Sequence, residues 1–299
     1  MAVNGLHHIS MIVHHPQKTI DFYQGILKLK LIKQTVNFDD PYTYHLYFGN
    51  KNQAIGSLVT FFPWLGGKKG KLGDGQVYRI QFKIPKGALP YWEHRFNENQ
   101  VNVKSLTDTN HKGILFYDPD NIAYELIETN TQSKSLDING FHGIKLYSAM
   151  PYKTKDTLIN LLDFTLLSEE KTHIHLENNA YHITIKYSNQ TSAYGVGSVH
   201  HVAFSLENDE LMVDVIDKLK RSNHHPTSVK DRLYFKSVYF KEPGGNLFEI
   251  ATNNPGFLVD ESIDTLGTSL KIPPIHQDKK TSIIKRLMPL ELRQDSEEL

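Results

Sequence analysis

Sixteen histidines and no cysteine are spread over 299 residues, so transition-metal chemistry in this chain falls to imidazole and carboxylate. Without thiols there are no disulfides, thiolate ligands or cysteine nucleophiles. The histidines include four adjacent pairs, His7-His8, His14-His15, His200-His201 and His224-His225, and neutral imidazole is the commonest protein ligand for such metals. His14-His15-Pro16 and His224-His225-Pro226 run into a proline, which drives the preceding residue toward extended or turn conformations; they read as loop histidines. The other two pairs sit in short apolar, strand-like runs, GLHHISMIV at 5–13 and GSVHHVAFSL at 197–206. Neighbouring side chains of a regular strand face opposite ways, so only one member of each pair is expected to face a common cavity.

The elements that carry these pairs repeat. The run 5–13 is followed by Ile20, Phe22, Tyr23, Ile26, Leu27 and Leu29 at helical spacing, then by extended stretches at 42–48 and 57–63. The same order recurs with a strand at 76–84, a helix at 88–99 and a hairpin over 113–128 turning at Asp118-Pro119-Asp120-Asn121. A third copy has a strand at 140–148, a helix at 154–164 and strands near 173–177 and 181–187. The fourth begins at 197, with a helix at about 208–222 and a hairpin over 234–251 turning at Glu242-Pro243-Gly244-Gly245-Asn246. The expected fold is α+β: four βαβββ modules in two tandem similar domains, 1–132 and 138–253, whose mixed curved sheets form a metal-binding cup. A C-terminal extension, 254–299, contains a basic helical piece near 278–288 and is expected to pack on the second half, with residues from Arg293 onward frayed.

Aligning the first strands puts His8, Arg79, Gly143 and His201 in one column, and aligning the hairpin turns sets Glu125 against Glu249. The separations agree, 46 residues from Arg79 to Glu125 and 48 from His201 to Glu249. A cup made of modules one and two, or three and four, would hold one histidine. Modules one and four together supply His8, His201 and Glu249, two histidines and one carboxylate with open positions left on an octahedral metal, the pattern of non-haem Fe(II). The other cup would keep Arg79 and Glu125 as a buried ion pair.

Balanced charge, 33 basic and 33 acidic residues, argues against a nucleic-acid partner. No run approaches the roughly 18 apolar residues of a membrane span. The N-terminus has neither the basic nor the apolar region of a secretory signal, so a cytoplasmic protein is expected.

The repeat, with Asp21-Phe22-Tyr23 opening a Leu-rich helix and a turn of D/E-P-x-G/D-N type before the ligand glutamate, resembles the vicinal-oxygen-chelate superfamily. Leu6-His7-His8-Ile9-Ser10, Tyr44-His45-Leu46-Tyr47-Phe48, Pro85-Lys86-Gly87 and the run from Asp231 to Tyr239 resemble its hydroquinone-type ring-cleaving dioxygenases. The likeness covers about residues 5–275, and Ser10 stands where a threonine is expected. It implies Fe(II), with Mn(II) or Zn(II) as substitutes, on His8, His201 and Glu249, surrounded by His7, Ser10, His200, Arg232 and Tyr239. It also implies a small dihydroxylated aromatic and dioxygen as substrates. In such a site His200 or Tyr239 would take the phenol proton and Arg232 would stabilise negative charge. A glyoxalase-like isomerase or thiol transferase is the alternative; the position near Thr60, where a further acid would serve those chemistries, is not acidic. A non-enzymatic aromatic-binding protein is a third reading. Homo-oligomer formation stays open.

Overall fold

Proline opens three of the five α-helices among the described residues, Pro16, Pro90 and Pro151 each standing in a first turn, where its missing N–H costs no intrahelical bond. Each helix follows the first strand of a module. In this computed structural model, which describes residues 3–52, 55–107, 112–178 and 181–293, module one consists of β1 (Val3–Val13), α1 (Pro16–Ile20) continuing as a π turn over Asp21–Ile26, β2 (Lys30–Val36), β3 (Tyr44–Gly49) and β4 (Leu58–Pro63). Module two has β5 (Val77–Ile84), α2 (Leu89–Glu98), β6 (Lys104–Thr107), β7 (Lys112–Tyr117) and β8 (Ala123–Glu128). Module three has β9 (Gly140–Ser148), α3 (Pro151–Leu162), β10 (Thr165–Glu169), β11 (His173–Asn178) and β12 (Tyr181–Tyr187). Module four has β13 (Ser198–Leu206), α4 (Met212–Arg221), β14 (Lys230–Asp231), β15 (Phe235–Lys241) and β16 (Leu247–Pro255), and α5 (Lys280–Arg286) lies in the extension.

The sheets join modules that are not neighbours in sequence. One eight-stranded sheet runs β14-β15-β16-β13-β1-β4-β3-β2 and so unites modules four and one; the other runs β10-β11-β12-β9-β5-β8-β7-β6 and unites three and two. In both, the first strands of two modules pair antiparallel at the centre, β1 with β13 and β5 with β9. Mixed, curved sheets with helices on one side make the fold α+β, as expected. Apolar residues at alternate positions, Ile9 and Met11 of β1, Ile80 and Phe82 of β5, and Phe204 of β13, pack with the helices into one core.

Tandem modules are tied through their hairpin tips. Asp118 accepts hydrogen bonds from the Asp120 and Ile122 amides of its own turn and from the Tyr23 hydroxyl at the π turn of module one. Glu242 does the same in module four, accepting from the Gly244 and Asn246 amides and from Thr154 of α3. Burial pushes the Asp118 carboxyl up to about 7 despite the bonds it accepts. Because the folded value lies above the unfolded one, this group's contribution to stability is full below about pH 4 and is lost as pH rises through 7. Asp118→Asn keeps an acceptor for the turn amides and removes the charge. Its stability relative to wild type should therefore improve by on the order of 2–4 kcal/mol between pH 4 and pH 8; urea melts at the two pH values giving the same difference would refute this.

The extension does not stay on the second half. It crosses to module one, where Gln34 of β2 bridges to Leu270, the Lys271 amide bonds the Gln34 carbonyl, Tyr44 donates to the Met288 carbonyl and Arg293 pairs with Asp21. Lys33, fully buried on β2, explains the route: its ammonium lies 2.6 Å from Asp260, donates to the Phe257 carbonyl and pairs closely with buried Glu261. A buried ammonium requires such partners, and the returning chain supplies the carboxylates and the carbonyl. Residues beyond Arg293, expected to fray, lie outside the described residues.

Candidate metal centre and active-site cavity

Beside each of the two central His-His pairs one strand of the first sheet carries an extra residue opposite the other. Leu6 pairs with Phe204 but His8 with Ala203, which leaves His7 unopposed; Ser10 pairs with His201 but Met11 with Val199, which leaves His200 unopposed. A bulge of this kind interrupts the two-residue alternation and re-aims side chains. The two rings of each pair therefore lie side by side; in the first pair only His8 borders the cavity described below, as expected, whereas in the second both His200 and His201 do, against expectation. His7 Nδ1 lies 2.8 Å from His8 Nδ1, and His200 Nδ1 lies 2.7 Å from His201 Nδ1.

His8 and His201 converge on Glu249, which β16 brings beside β13 in register with Ala203. The two Nε2 atoms are 3.3 Å apart and lie 3.2 and 2.8 Å from Glu249 Oε2. Glu249 is fully buried, and its carboxylate faces the two imidazoles and the Tyr239 side chain. Lone pairs of three buried groups thus meet at one point, a situation that a cation resolves and that is costly without one. Burial pushes the Glu249 carboxyl up, but His8 and His201 outweigh it and hold the group well below the usual carboxylate range.

Proton counting supports the same assignment. His7 makes a hydrogen bond to the Thr252 backbone, and a backbone carbonyl can only accept, so the other nitrogen of neutral His7 is an acceptor. Burial, followed by the neighbouring His8, lowers the His7 pKa to about 3, which keeps that ring neutral. His8 must then donate through Nδ1, and its Nε2 presents a lone pair to the centre. Were His201 Nε2 to present its lone pair in the same way, its Nδ1 proton would go to His200 Nδ1 and the His200 proton would sit on Nε2. These partners set ring orientation and tautomer, as second partners of metal-bound imidazoles generally do.

A cavity of about 610 Å³ opens above the triad, with His200, Arg232 and Tyr239 in its wall and Phe62, Trp64 and Phe235 as apolar surfaces. Arg232 donates to Asp39 on the rim at 3.0 Å and lies over the Tyr239 ring at 5.7 Å. Burial first, and then Glu249, raise the Tyr239 phenol well above its ordinary value, so it keeps its proton. Burial, then His201, lowers the His200 pKa to about 4. His7 and Ser10 do not line the cavity. His7 stands behind His8, and Ser10 is fully buried with its hydroxyl 2.7 Å from that of Thr60. The loop histidines stay apart: His15 caps α1 by accepting from the Gln17 amide, and His224 packs on Phe240.

Strand register also shows what residue-type reasoning missed. Thr60 faces Ser10 as Glu249 faces Ala203, and Tyr47 pairs with Thr60 as Tyr239 pairs with Glu249. The module-one side of the cup therefore holds Thr60 and Tyr47 where module four holds Glu249 and Tyr239. His45 sits between them, with Nε2 3.0 Å from the Thr60 hydroxyl and Nδ1 2.9 Å from the Tyr47 hydroxyl. Carrying the four-module alignment into the third strands would have exposed the Tyr47–Tyr239 equivalence.

The second sheet repeats the plan without the histidines. Register places Gln81 against Glu125 and Lys145 against Thr184, with bulges at Tyr78 and His142. Fully buried Glu125 pairs with Arg79 at 2.5 Å and Lys145 at 3.0 Å, and accepts from Gln81. A guanidinium and an ammonium thus occupy the side of the carboxylate that the two imidazoles occupy in the first cup. At Gly143, the counterpart of His201, a Cβ would lie 2.0 Å from the His182 carbonyl oxygen, so no imidazole fits there.

Two sheets, each closed from a pair of βαβββ modules, with one cup bearing a buried His-His-Glu cluster, define a βαβββ-repeat protein with one candidate metal centre among the described residues. The chain belongs to the Glyoxalase/Bleomycin resistance protein/Dioxygenase superfamily, whose family model matches residues 5–63 and 140–250. It is 38% identical over 305 residues, covering 97% of each chain, to a Bacillus subtilis protein provisionally named ring-cleaving dioxygenase MhqO. It is 28% identical to the chlorohydroquinone/hydroquinone 1,2-dioxygenase of Sphingobium indicum, over 95% of this chain and 96% of that protein. A crystal structure of a Bacillus subtilis protein provisionally named a dioxygenase superposes with a TM-score of 0.93 at 38% identity, covering 98% of this chain and 99% of that one. Maize glyoxalase I, at 14% identity and a TM-score of 0.62 over 83% of this chain and 92% of that one, shares the fold.

Proposed function

We propose that the protein is an Fe(II)-dependent, extradiol-type ring-cleaving dioxygenase that acts on hydroquinone-like aromatics. The observation that carries this reading is the buried His8–His201–Glu249 cluster, three ligands with no fourth among the described residues, beneath a cavity with aromatic walls. Relatives across nearly the whole chain, one named a ring-cleaving dioxygenase and one a chlorohydroquinone/hydroquinone 1,2-dioxygenase, support it. Iron held by these three residues would supply a Lewis acid for a phenolic oxygen and an electron path to dioxygen.

The surrounding residues bind and orient. Phe62, Trp64 and Phe235 offer faces for an aromatic ring. Tyr239 keeps its proton and His200 carries its own on Nε2, so both serve as hydrogen-bond donors to negative charge on oxygen rather than as acceptors of the phenol proton. Arg232 adds a charge that does not titrate in the working range, and Asp39 fixes its fork. His7 and His200 hold the two ligand rings.

The test is oxygen uptake by anaerobically Fe(II)-loaded protein given hydroquinone, methylhydroquinone or catechol, followed by ultraviolet spectra. Uptake with loss of the aromatic band, stronger for the hydroquinones than for catechol, is the expected result. Bound iron with no uptake would transfer the assignment to an isomerase or transferase using an inert divalent metal. No helix among the described residues is long and apolar enough to cross a membrane, in keeping with small soluble substrates.

A further inference from the structure

The loop that joins β2 to β3, residues 37–43, lies between two parts of the molecule. On its inner side Phe38, Asp39, Asp40 and Thr43 stand in the wall of the active-site cavity. On its outer side it meets the C-terminal extension, where the Tyr42 hydroxyl lies 3.4 Å from that of Ser282 and the Arg286 guanidinium lies 4.3 Å over the Tyr42 ring.

One contact reaches from the extension through the loop toward the cavity. His276, buried in the short 3-10 turn Pro274–Lys279, has Nε2 3.0 Å from the Phe38 carbonyl oxygen. A carbonyl only accepts, so Nε2 donates, and it does so whether the ring is neutral or charged. The Phe38 carbonyl belongs to the peptide that joins Phe38 to Asp39. Its amide end is bonded within the loop, to the Asn37 side chain at 2.8 Å in an exposed turn; its carbonyl end is held from outside, in a partly buried bond. Because a peptide unit is planar, fixing its two poles fixes both flanking α-carbons and so the directions in which both side chains leave.

Those two side chains hold one group of the cavity. The Arg232 guanidinium lies 5.7 Å over the Phe38 ring and donates to the Asp39 carboxylate at 3.0 Å, with Tyr239 flanking it from β15. The Asp39 side chain is 72% exposed whereas that of Arg232 is 15% exposed. An ion pair with so exposed a partner fixes little by itself, so its geometry depends on a backbone that is already held. We infer that His276 is a positioning residue of the active site: its hydrogen bond fixes the Phe38–Asp39 peptide, and through Phe38 and Asp39 it sets the place of Arg232 in the cavity wall. The functional part of this inference rests on the dioxygenase reading, in which Arg232 faces negative charge on oxygen; the mechanical part does not.

The mechanical part is read in metal-free protein from the Nε–Hε signals of ¹⁵N-arginine-labelled samples, with the Arg232 signal assigned by its loss in Arg232→Met. It should move or broaden in His276→Leu and return in His276→Gln, whose amide keeps a donor near the position of Nε2. An Arg232 signal unchanged in His276→Leu would overturn the inference. In the iron-loaded enzyme His276→Leu should lower kcat about tenfold, as misplacement of a charge in an active site does, with KM and iron content unchanged, and His276→Gln should restore most of it. The double variant His276→Leu/Arg232→Met should be no slower than Arg232→Met, because both act through one guanidinium. Arg293→Ala, which releases the extension from Asp21, should keep the wild-type kcat; a loss equal to that of His276→Leu would assign the effect to general undocking and refute the role of His276. Full kcat in His276→Leu, or multiplied losses in the double variant, would refute it as well. Wild-type protein that consumes no oxygen would refute the dioxygenase reading, and the arginine spectrum would then decide the coupling by itself.

Discussion

Glu249→Gln should lose its metal and with it about 10³-fold or more in turnover, while folding normally. Glutamine keeps the shape of the side chain but removes the one negative charge of the centre, and its amide can present only one neutral oxygen to the point where His8 and His201 converge. A metal ion acting on oxygen contributes several kcal/mol to the barrier, and each 1.36 kcal/mol is a factor of ten in rate. Stability at neutral pH should fall modestly, because His8 and His201 hold the native carboxyl well below its usual range and so the folded state favours the charged form. Metal content by elemental analysis, oxygen uptake and a thermal melt on the same preparation give the three readings. Retention of stoichiometric iron and activity would remove Glu249 from the site. The equivalent change in the other cup separates chemistry from architecture. Glu125→Gln should leave oxygen uptake intact and cost stability, on the order of 1–3 kcal/mol, because Arg79 and Lys145 lose their shared carboxylate but keep side-chain exposures of 30% and 25%.

Lys33→Ala should be the most destabilising single change outside the hydrophobic core, at about 3–5 kcal/mol. The ammonium is fully buried between Asp260, Glu261 and the Phe257 carbonyl. Its removal leaves the Glu261 carboxylate buried, with Lys271 as the next cation, 3.8 Å away and partly exposed. A loss of that size corresponds to a fall on the order of 10 °C in Tm for a chain of this size. The Lys33 contact joins the returning extension to β2, so protease cleavage within 257–293 should accelerate before the rest of the chain is attacked. Melting and limited proteolysis indistinguishable from wild type would show that the ion cluster contributes nothing net. Restoring the charge balance with Lys33→Met/Glu261→Leu should recover most of the loss, since apolar replacement of a buried ion pair is often neutral.

Repetition made much of this molecule legible in advance. The column His8, Arg79, Gly143, His201 and the match of Glu125 with Glu249 follow from four copies of one strand order, and strand register preserves both. The two bulges were not legible, because one unopposed residue in a strand leaves no mark on composition or spacing, and a His-His pair looks alike in a regular and a bulged strand. The hydrogen-bonded run Tyr47–His45–Thr60–Ser10 was hidden for a related reason: it needs the pairing of β3 with β4 and of β4 with β1, and none of its four residues is unusual where it stands.

The extension shows the same division. Its proline-rich start and basic helix were readable, but its destination depended on Lys33, a lysine in an ordinary-looking strand that burial turns into a demand for carboxylates. Residue types and their recurrence along the chain were enough to establish the repeat, the candidate ligands and the pairing of modules one and four that could build a usable centre. Which histidine supports which ligand and where the C-terminal segment docks were settled by packing, because each depends on groups far apart in sequence that meet only when the sheets close and water leaves.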